Sequence, residues 1–192
     1  MNRKKFLATL GVAPSMLTWI SMILARSFPP EMLHFTDDGK IPNSKFPLLL
    51  YHDTLPKGHA QPDRWYLKQF ADNNWTNAWT NGIYGFHHYH STSHEVLGIF
   101  SGSAVLHLGG EKGKKVEVVK GDIVVIPAGV GHKNIKSNDL GVVGAYPGGR
   151  DWDLLRGEKG ERPKADENIR ALPIPRTDPF LGKKNGLTDV WR

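Results

Sequence analysis

Short stretches of β-favouring residues, separated by glycine-containing breaks, occupy the chain from residue 83 to residue 146. The breaks fall about every ten residues, a spacing typical of a β-sandwich or barrel. The 21 glycines and 13 prolines of the chain supply the turns that such a fold needs. The pattern predicts an all-β domain with strands at residues 84–90, 96–100, 104–108, 116–119, 123–127, 133–136 and 141–146.

The segments on either side of these strands have a different character. Residues 28–43 are irregular, 46–52 predict a strand, 62–72 predict a helix, and 73–82 show no clear period. After residue 147 the alternation is lost, and a short helix near 166–172 precedes a proline-rich stretch. We therefore predict a barrel core at 81–147, with 28–80 packing on it as a strand and a helix and 148–192 wrapping around it.

The first 27 residues have the pattern of an export signal or a membrane anchor. Arg3, Lys4 and Lys5 precede nineteen uncharged residues, 6–24, and the start is similar to a twin-arginine signal with lysine as its second basic residue. About 20 apolar residues can also span a bilayer, so an uncleaved anchor is the alternative. We expect an exported protein whose membrane contact, if any, is confined to residues 6–24. A misplaced start codon and a cytoplasmic protein is the other alternative.

Charge and cysteine content exclude two classes of site. Arg3, Lys4, Lys5 and Arg26 account for four of the six net positive charges, and no acidic residue precedes residue 27. The remaining +2 is spread over loops where lysines alternate with acids, so no basic stripe for nucleic acid is present. The absence of cysteine excludes disulfides and thiolate metal ligands.

Three histidines and one glutamate have the spacing of a metal site. His88 and His90 are two residues apart, so a strand would direct both imidazoles into one space. Glu95 follows in the adjoining turn, and His132 stands near the start of a later strand. Such a set suits Fe(II), Mn(II), Ni(II), Cu(II) or Zn(II), and the ligands alone do not choose among these metals.

The two stretches that hold these residues match the two signatures of the cupin family. The first, G-x5-H-x-H-x4-E-x6-G, and the second, G-x5-P-x-G-x2-H, fall at Gly82, His88, His90, Glu95 and Gly102, and at Gly121, Pro127, Gly129 and His132. The second motif normally ends in asparagine, where this chain has Lys136. That asparagine is not a metal ligand in the family, so its replacement by Lys136 bears on the geometry of the local loop more than on metal binding.

Residues 34–192 as a whole resemble a group of bacterial single-domain cupins of the YjlB type. The stretches 82–98, 144–147 and 151–154 carry this resemblance. It implies a cupin (RmlC-like) double-stranded β-helix, or jelly-roll barrel, with a divalent transition metal at His88, His90, Glu95 and His132. It also implies pairing into a homodimer through barrel edges. The group brings no settled reaction with it.

Cupins with this ligand set include dioxygenases, isomerases, decarboxylases and oxalate-degrading enzymes. The resemblance therefore implies a metal-dependent enzyme, dioxygenase- or isomerase-like, that acts on a small polar, metal-chelating substrate. A non-catalytic small-molecule-binding or sensory cupin is the alternative, and a metal-free carbohydrate epimerase is a third hypothesis. An acid–base residue near the metal would favour the enzyme, whereas an entirely apolar lining would favour the binding protein.

The remaining histidines and aromatic residues are expected to have structural roles. Strand alternation directs His87 and His94 away from the ligands, so we expect packing or support of the ligands from them. The sequence leaves open which way His107 faces. Tyrosines 84, 89 and 146 are expected to be core aromatics, and Trp152 to cover the barrel mouth or clasp it by packing.

Overall fold

The computed structural model describes residues 29–192, which form an antiparallel β-fold with few short helices. The elements are β1 (Glu31–Leu33), β2 (Leu48–Tyr51), α1 (Pro62–Asp72), β3 (Trp75–Asn81), β4 (Glu95–Leu108), β5 (Lys114–Val119), β6 (Ile123–Ile126), β7 (His132–Pro147), α2 (Lys164–Ala171) and α3 (Leu187–Val190). The strands pair in the order β1-β2-β6-β4-β7-β3, and β5 pairs with β4. The all-β class expected from the sequence is therefore confirmed, with a mostly antiparallel sheet.

Two long strands hold the fold together. The first part of β4 pairs with β6 and β7, and its second part pairs with β5 and β7. The register between β4 and β7 shifts twice near Gly102. The φ angle of Gly102 is 64°, and a Cβ added to this residue would lie 2.1 Å from the Asn138 carbonyl oxygen of β7. Glycine is therefore required here because two backbones meet and the chain adopts a left-handed conformation.

Alternation along the strands divides the apolar side chains into two layers. Leu48 and Leu50 of β2 point into the barrel, whereas Leu49 and Tyr51 point to its outer surface. The inner layer surrounds the lumen, and the outer layer is covered by α1 and by the C-terminal segment. Both faces of the sheet are buried there, which explains why β2 is a continuous apolar run and not an alternating one.

Helix α1 begins with proline at its first position, where the missing N–H costs no hydrogen bond. Tyr66 and Phe70, one turn apart, form its buried side and pack on the outer layer of the sheet. Gly98 of β4 makes room for them, because a Cβ at that position would lie 2.6 Å from Cδ1 of Tyr66. The helix predicted at 62–72 is thus present with the same bounds.

The C-terminal segment is anchored to the outer layer by polar contacts as well as apolar ones. Asp178 is fully buried and accepts hydrogen bonds from the Tyr51 hydroxyl, at 2.6 Å, and from the main-chain N–H of Leu187, at 2.9 Å. Trp191 is buried and stacks on Phe46, with ring centroids 5.4 Å apart. These contacts hold the tail against the strands that carry the lumen side chains on their other face.

The structure corrects several predicted elements. The strands predicted at 96–100 and 104–108 are one strand, β4, and those at 133–136 and 141–146 are one strand, β7. Residues 84–90 make isolated bridges instead of the predicted strand, and 73–82, for which no period was found, contain β3. Residues 31–81 contain strands β1, β2 and β3, which join the sheet, as well as helix α1, which packs on it.

The predicted signal or anchor at residues 1–27 lies outside the residues that the structure describes. Within residues 29–192, no helix has the length and apolar character needed to cross a bilayer.

Candidate metal centre

The four candidate ligands come from three separate segments that meet at one end of the barrel. His88 and His90 lie in the loop between β3 and β4, Glu95 is the first residue of β4, and His132 is the first residue of β7. Two backbone hydrogen bonds join the loop to β7: His88 N to His132 O at 3.2 Å and His132 N to His88 O at 2.9 Å. This bridge places residues that are distant in sequence side by side.

The side chains of these residues converge in the lumen. One ring nitrogen from each of His88, His90 and His132 lies within 4.8 Å of the others. Glu95 Oε2 is 3.5 Å from His90 Nε2 and 3.3 Å from His132 Nε2. All four residues are at least 94% buried. The structure therefore brings together the whole set that the sequence singled out.

Main-chain carbonyl groups orient all three imidazoles. His88 Nδ1 is 3.2 Å from the Phe86 oxygen, His132 Nδ1 is 3.2 Å from the Val130 oxygen, and His90 Nδ1 contacts the Asp153 oxygen. A proton on each Nδ1 would be donated to these oxygens, which leaves the Nε2 lone pair directed to the centre. This is the arrangement by which proteins commonly fix the tautomer of a metal-binding histidine.

Tyr146 holds the carboxylate. Its hydroxyl donates a hydrogen bond to Glu95 Oε1 at 3.0 Å and accepts one from Trp79 Nε1 at 2.8 Å. Glu95 Oε2, by contrast, is buried without a hydrogen bond. One carboxylate oxygen is thus fixed by the protein, whereas the other faces two imidazole nitrogens with no proton donor aligned on it.

The electrostatics of the centre favour an ionised glutamate. Burial raises the pKa of Glu95, but the charge of His90 and the close approach of His132 outweigh this effect and hold it below the ordinary value. Burial alone would lower the pKa of His90, yet Glu95 raises it. Burial, followed by repulsion from His132, lowers the pKa of His88 to about 2. A buried carboxylate with one orphaned oxygen among three imidazoles fits a divalent transition metal.

A cavity of about 380 Å³ opens onto this centre. Aromatic rings form much of its wall: Trp79, Tyr84, Tyr146 and Trp152. Trp152 stacks on Tyr146, with ring centroids 5.7 Å apart, and meets the His90 ring edge-on at 5.1 Å. The expectation that Tyr84 is a core aromatic is wrong, since 49% of its surface is exposed at the cavity.

A segment after β7 fastens the loop that carries His90, through hydrogen bonds that the sequence did not predict. The Asp153 carboxylate accepts hydrogen bonds from Ser91 N at 2.6 Å, from the Ser91 hydroxyl at 2.5 Å, and from the main chain and hydroxyl of Thr92, each at 3.2 Å. The next residue upstream, Trp152, lines the cavity. The sequence singled out the Asp-Trp-Asp run as a cover for the barrel mouth or a packing clasp, but it did not indicate that Asp153 binds the histidine loop.

The other histidines and Tyr89 lie away from the centre. His94 Nδ1 accepts a hydrogen bond from Ala128 N at 2.9 Å, and its ring packs on Trp191. Tyr89 is buried and donates to Glu161 Oε2 at 3.0 Å, as expected of a core aromatic. His87 and His107 pack on each other, with ring centroids 4.8 Å apart.

The sequence is 42% identical over 159 residues to the uncharacterised protein YjlB of Bacillus subtilis strain 168. The match covers 82% of this chain and 93% of that protein. This chain belongs to the YjlB family of cupins. The resemblance to YjlB-type cupins, drawn from stretches across residues 34–192, is thereby confirmed. No model of a protein family matches the chain.

Solved structures resemble parts of this YjlB-family chain. A DUF861 family protein from Thermotoga maritima is 26% identical, with a TM-score of 0.29, over 45% of this chain and 91% of its own. Acireductone dioxygenase from Bacillus anthracis, with a cadmium ion in its active centre, is 18% identical, with a TM-score of 0.32, over 48% of this chain and 58% of its own. At such TM-scores neither likeness bears on the chemistry of this metal centre.

Proposed function

We propose that this protein is a metal-dependent enzyme, of dioxygenase or isomerase type, that acts on a small polar, metal-chelating substrate. The observation that carries the proposal is the position of Glu95 Oε2. This oxygen is buried, has no hydrogen bond, and faces His90 and His132 at the base of a cavity of about 380 Å³. Ligand cavities of this size accept small molecules.

A bound divalent metal would supply Lewis acidity, with about two of six coordination positions left for substrate, oxygen or water. The protein's own contribution is to hold the donors and to shape the space above them. Tyr146 fixes one oxygen of Glu95, and burial, followed by the charge of Glu95, raises the pKa of Tyr146 far above its ordinary value. Its hydroxyl therefore stays protonated and donates hydrogen bonds instead of acting as a base.

The cavity wall suggests what kind of molecule would fit. Trp152 and Tyr146 present stacked faces beside His90, and Trp79 and Tyr84 add two more rings. Aromatic walls favour a flat or partly apolar body, while the donor set at the base favours a chelating end such as an enediol, a hydroxy acid or a keto acid. Trp152, 38% exposed, stands where it would limit the access of water to a bound molecule.

A specific observation favours the second candidate, a non-catalytic binding or sensory cupin. Among the residues that line the cavity in the described part of the chain, the four candidate ligands and two tyrosines are the ionisable ones. Within residues 29–192, no histidine or carboxylate other than these four lines the cavity to serve as a general base. An enzyme with this cavity lining would have to transfer protons through the metal centre, through water bound there or through the substrate itself.

Metal content and turnover test the proposal in two steps. Protein purified without oxygen is expected to contain about one divalent metal ion per chain at this centre. The variant His90→Ala should lose that metal, whereas His34→Ala, which changes an exposed histidine, should retain it. Metal-free wild-type protein that takes up no divalent metal would contradict the metal centre.

Turnover then separates the two candidate functions. The metal-loaded protein is screened with chelating enediols, hydroxy acids and keto acids, with product formation and oxygen uptake as measurements. Conversion that is abolished in His90→Ala supports the enzyme. Tight ligand binding without conversion, under air and without oxygen, supports the binding protein instead.

Export and self-association complete the proposal. We propose that residues 1–27 direct the chain out of the cytoplasm or anchor it, and that the barrels pair as a homodimer. Cell fractionation with mass determination of the mature chain tests the first point, and sedimentation tests the second. The low net charge of residues 27–192 argues against a nucleic-acid partner.

A further inference from the structure

A second group of potential metal ligands lies on the outer face of the barrel. We propose that His87, His107 and Glu111 form a second binding site for a divalent transition metal, distinct from the centre in the lumen. One potential ligand atom from each lies within 4.8 Å of the others. The rings of His87 and His107 are 4.8 Å apart, and His87 Nε2 is 3.3 Å from Glu111 Oε1.

His87 is the residue that points to a ligand. Its side chain is 9% exposed, and both of its ring nitrogens are buried without a hydrogen bond from the described part of the chain. A buried imidazole without partners costs free energy, so native proteins usually satisfy both nitrogens. A cation held between His87, His107 and Glu111 would satisfy one of them.

The geometry requires only small side-chain movements. Ligand atoms on a tetrahedral zinc ion lie about 3.4 Å apart, given zinc–ligand distances near 2.0–2.1 Å. The distance of 3.3 Å between His87 Nε2 and Glu111 Oε1 is already close to this value. Glu111 is 70% exposed, so its side chain can move, while its main-chain N–H is anchored to Asp38 Oδ2 at 3.1 Å.

Strand alternation keeps this group apart from the lumen centre. Leu106 and Leu108 of β4 point into the barrel, so His107 between them points outward. His107 is paired with Lys133, the neighbour of His132, and His87 is likewise the neighbour of His88. Strands β4 and β7 and the histidine loop thus each present one residue to the lumen and its neighbour to the outer face, so the two groups lie on opposite sides of the backbone.

Lys133 is the natural competitor of a metal at this site. Its Nζ lies 3.0 Å from Glu111 Oε1, and its positive charge opposes a second cation nearby. The carboxylate has two oxygens, so a metal can bind while the lysine keeps or yields its contact. Two imidazoles and one carboxylate suit Zn²⁺, Ni²⁺ or Cu²⁺, with the remaining position open to water.

Calorimetric titration of the full chain with Zn²⁺ tests the proposal. The measurement uses a His90→Ala background, in which the lumen centre is disabled, and circular dichroism checks the fold of every variant. The background protein should bind about one zinc ion. Adding Glu111→Gln, a change at an exposed side chain, should weaken this binding by about tenfold or more. Adding Lys133→Gln should strengthen it.

The control is Glu117→Gln, which removes an exposed carboxylate on β5 outside the group and should leave zinc binding unchanged. His107→Gln serves as a second variant inside the group. Absence of zinc binding in the background protein would overturn the proposal. So would an affinity that neither Glu111→Gln nor His107→Gln weakens, or that Glu117→Gln weakens equally.

Discussion

The hydrogen bond from Tyr146 to Glu95 offers the sharpest test of how the metal centre is held. Tyr146→Phe removes one oxygen atom and keeps the ring that stacks on Trp152. The change leaves Glu95 Oε1 without the donor at 3.0 Å and Trp79 Nε1 without the acceptor at 2.8 Å. The carboxylate is then free to rotate away from the imidazoles.

The expected magnitude follows from these two contacts. Loss of a residue that orients a metal ligand weakens metal binding by about 10- to 100-fold, or about 1.4–2.7 kcal/mol. Each buried group left without a partner costs about 1–3 kcal/mol of folding stability. Both groups border the open cavity, where water can replace part of the lost contact, so we expect the metal-free variant to lose about 2 kcal/mol in all.

Metal affinity is measured by competition with a chelator of known strength, and the free energy of unfolding by urea denaturation. The matched control is Tyr51→Phe, which removes a buried tyrosine–carboxylate hydrogen bond, to Asp178, on the outer layer. The control should lose stability but keep its metal affinity. If Tyr146→Phe folds and binds metal within about twofold of the wild type, then the Tyr146 hydroxyl does not hold the glutamate ligand in place.

Three further predictions concern the loop, the sheet and protonation. Asp153→Ala should destabilise the protein by about 2–4 kcal/mol and weaken metal binding about tenfold, because it frees the loop that carries His90. The control is Asp151→Ala, at an exposed residue, and equal effects in both variants would contradict the role of Asp153. Gly98→Ala should lower the free energy of unfolding, measured by urea denaturation, by about 1–3 kcal/mol, because the added Cβ would clash with the Tyr66 ring of α1. Gly82→Ala is the control and should lower it less, since no atom lies within 4 Å of a Cβ built there. Glu95 raises the pKa of His90 against the effect of burial, so His90 keeps its proton to a higher pH than a free histidine and must release it to bind metal. Metal affinity should therefore fall as the pH falls through this raised pKa, and calorimetry that shows a constant affinity from about pH 8 to about pH 5 would refute the assignment.

The candidate ligands could be found from the sequence because their signal is local. His88 and His90 are two residues apart, and extended chain directs such side chains to the same side. His132 follows a turn motif that immediately precedes a strand. Their support could not be found in the same way. Asp153 lies about sixty residues from the loop it binds, and no short-range pattern specifies such a contact.

Tyr146 was predicted as a core aromatic, and alternation could have placed it better. Val143 and Ala145 belong to the outer layer, so Tyr146 must point into the lumen with Val142. The alternation along β7 is visible in the sequence, but it locates Tyr146 near the metal ligands only when one knows which face of β7 those ligands lie on. That information comes from the pairing of β7 with the histidine loop.

Strand β3 escaped prediction for a different reason. Trp75 and Trp79 are four residues apart, so regular alternation would put both on one face. In the structure Trp75 is in the outer layer and Trp79 packs on the inner one, because the register shifts between Thr76 and Trp79. A bulge reverses the alternation of inward and outward side chains partway along a strand, so the sequence of β3 has no regular two-residue pattern.

The bridge between His88 and His132 has a consequence for the order of assembly. The two residues are 44 positions apart in the sequence and meet only where the loop before β4 bridges to the first residue of β7. A partly folded chain therefore offers no complete coordination sphere. We therefore expect a metal ion to bind after the barrel end has closed, so that the metal available where folding finishes, and not where synthesis begins, would determine which species is bound.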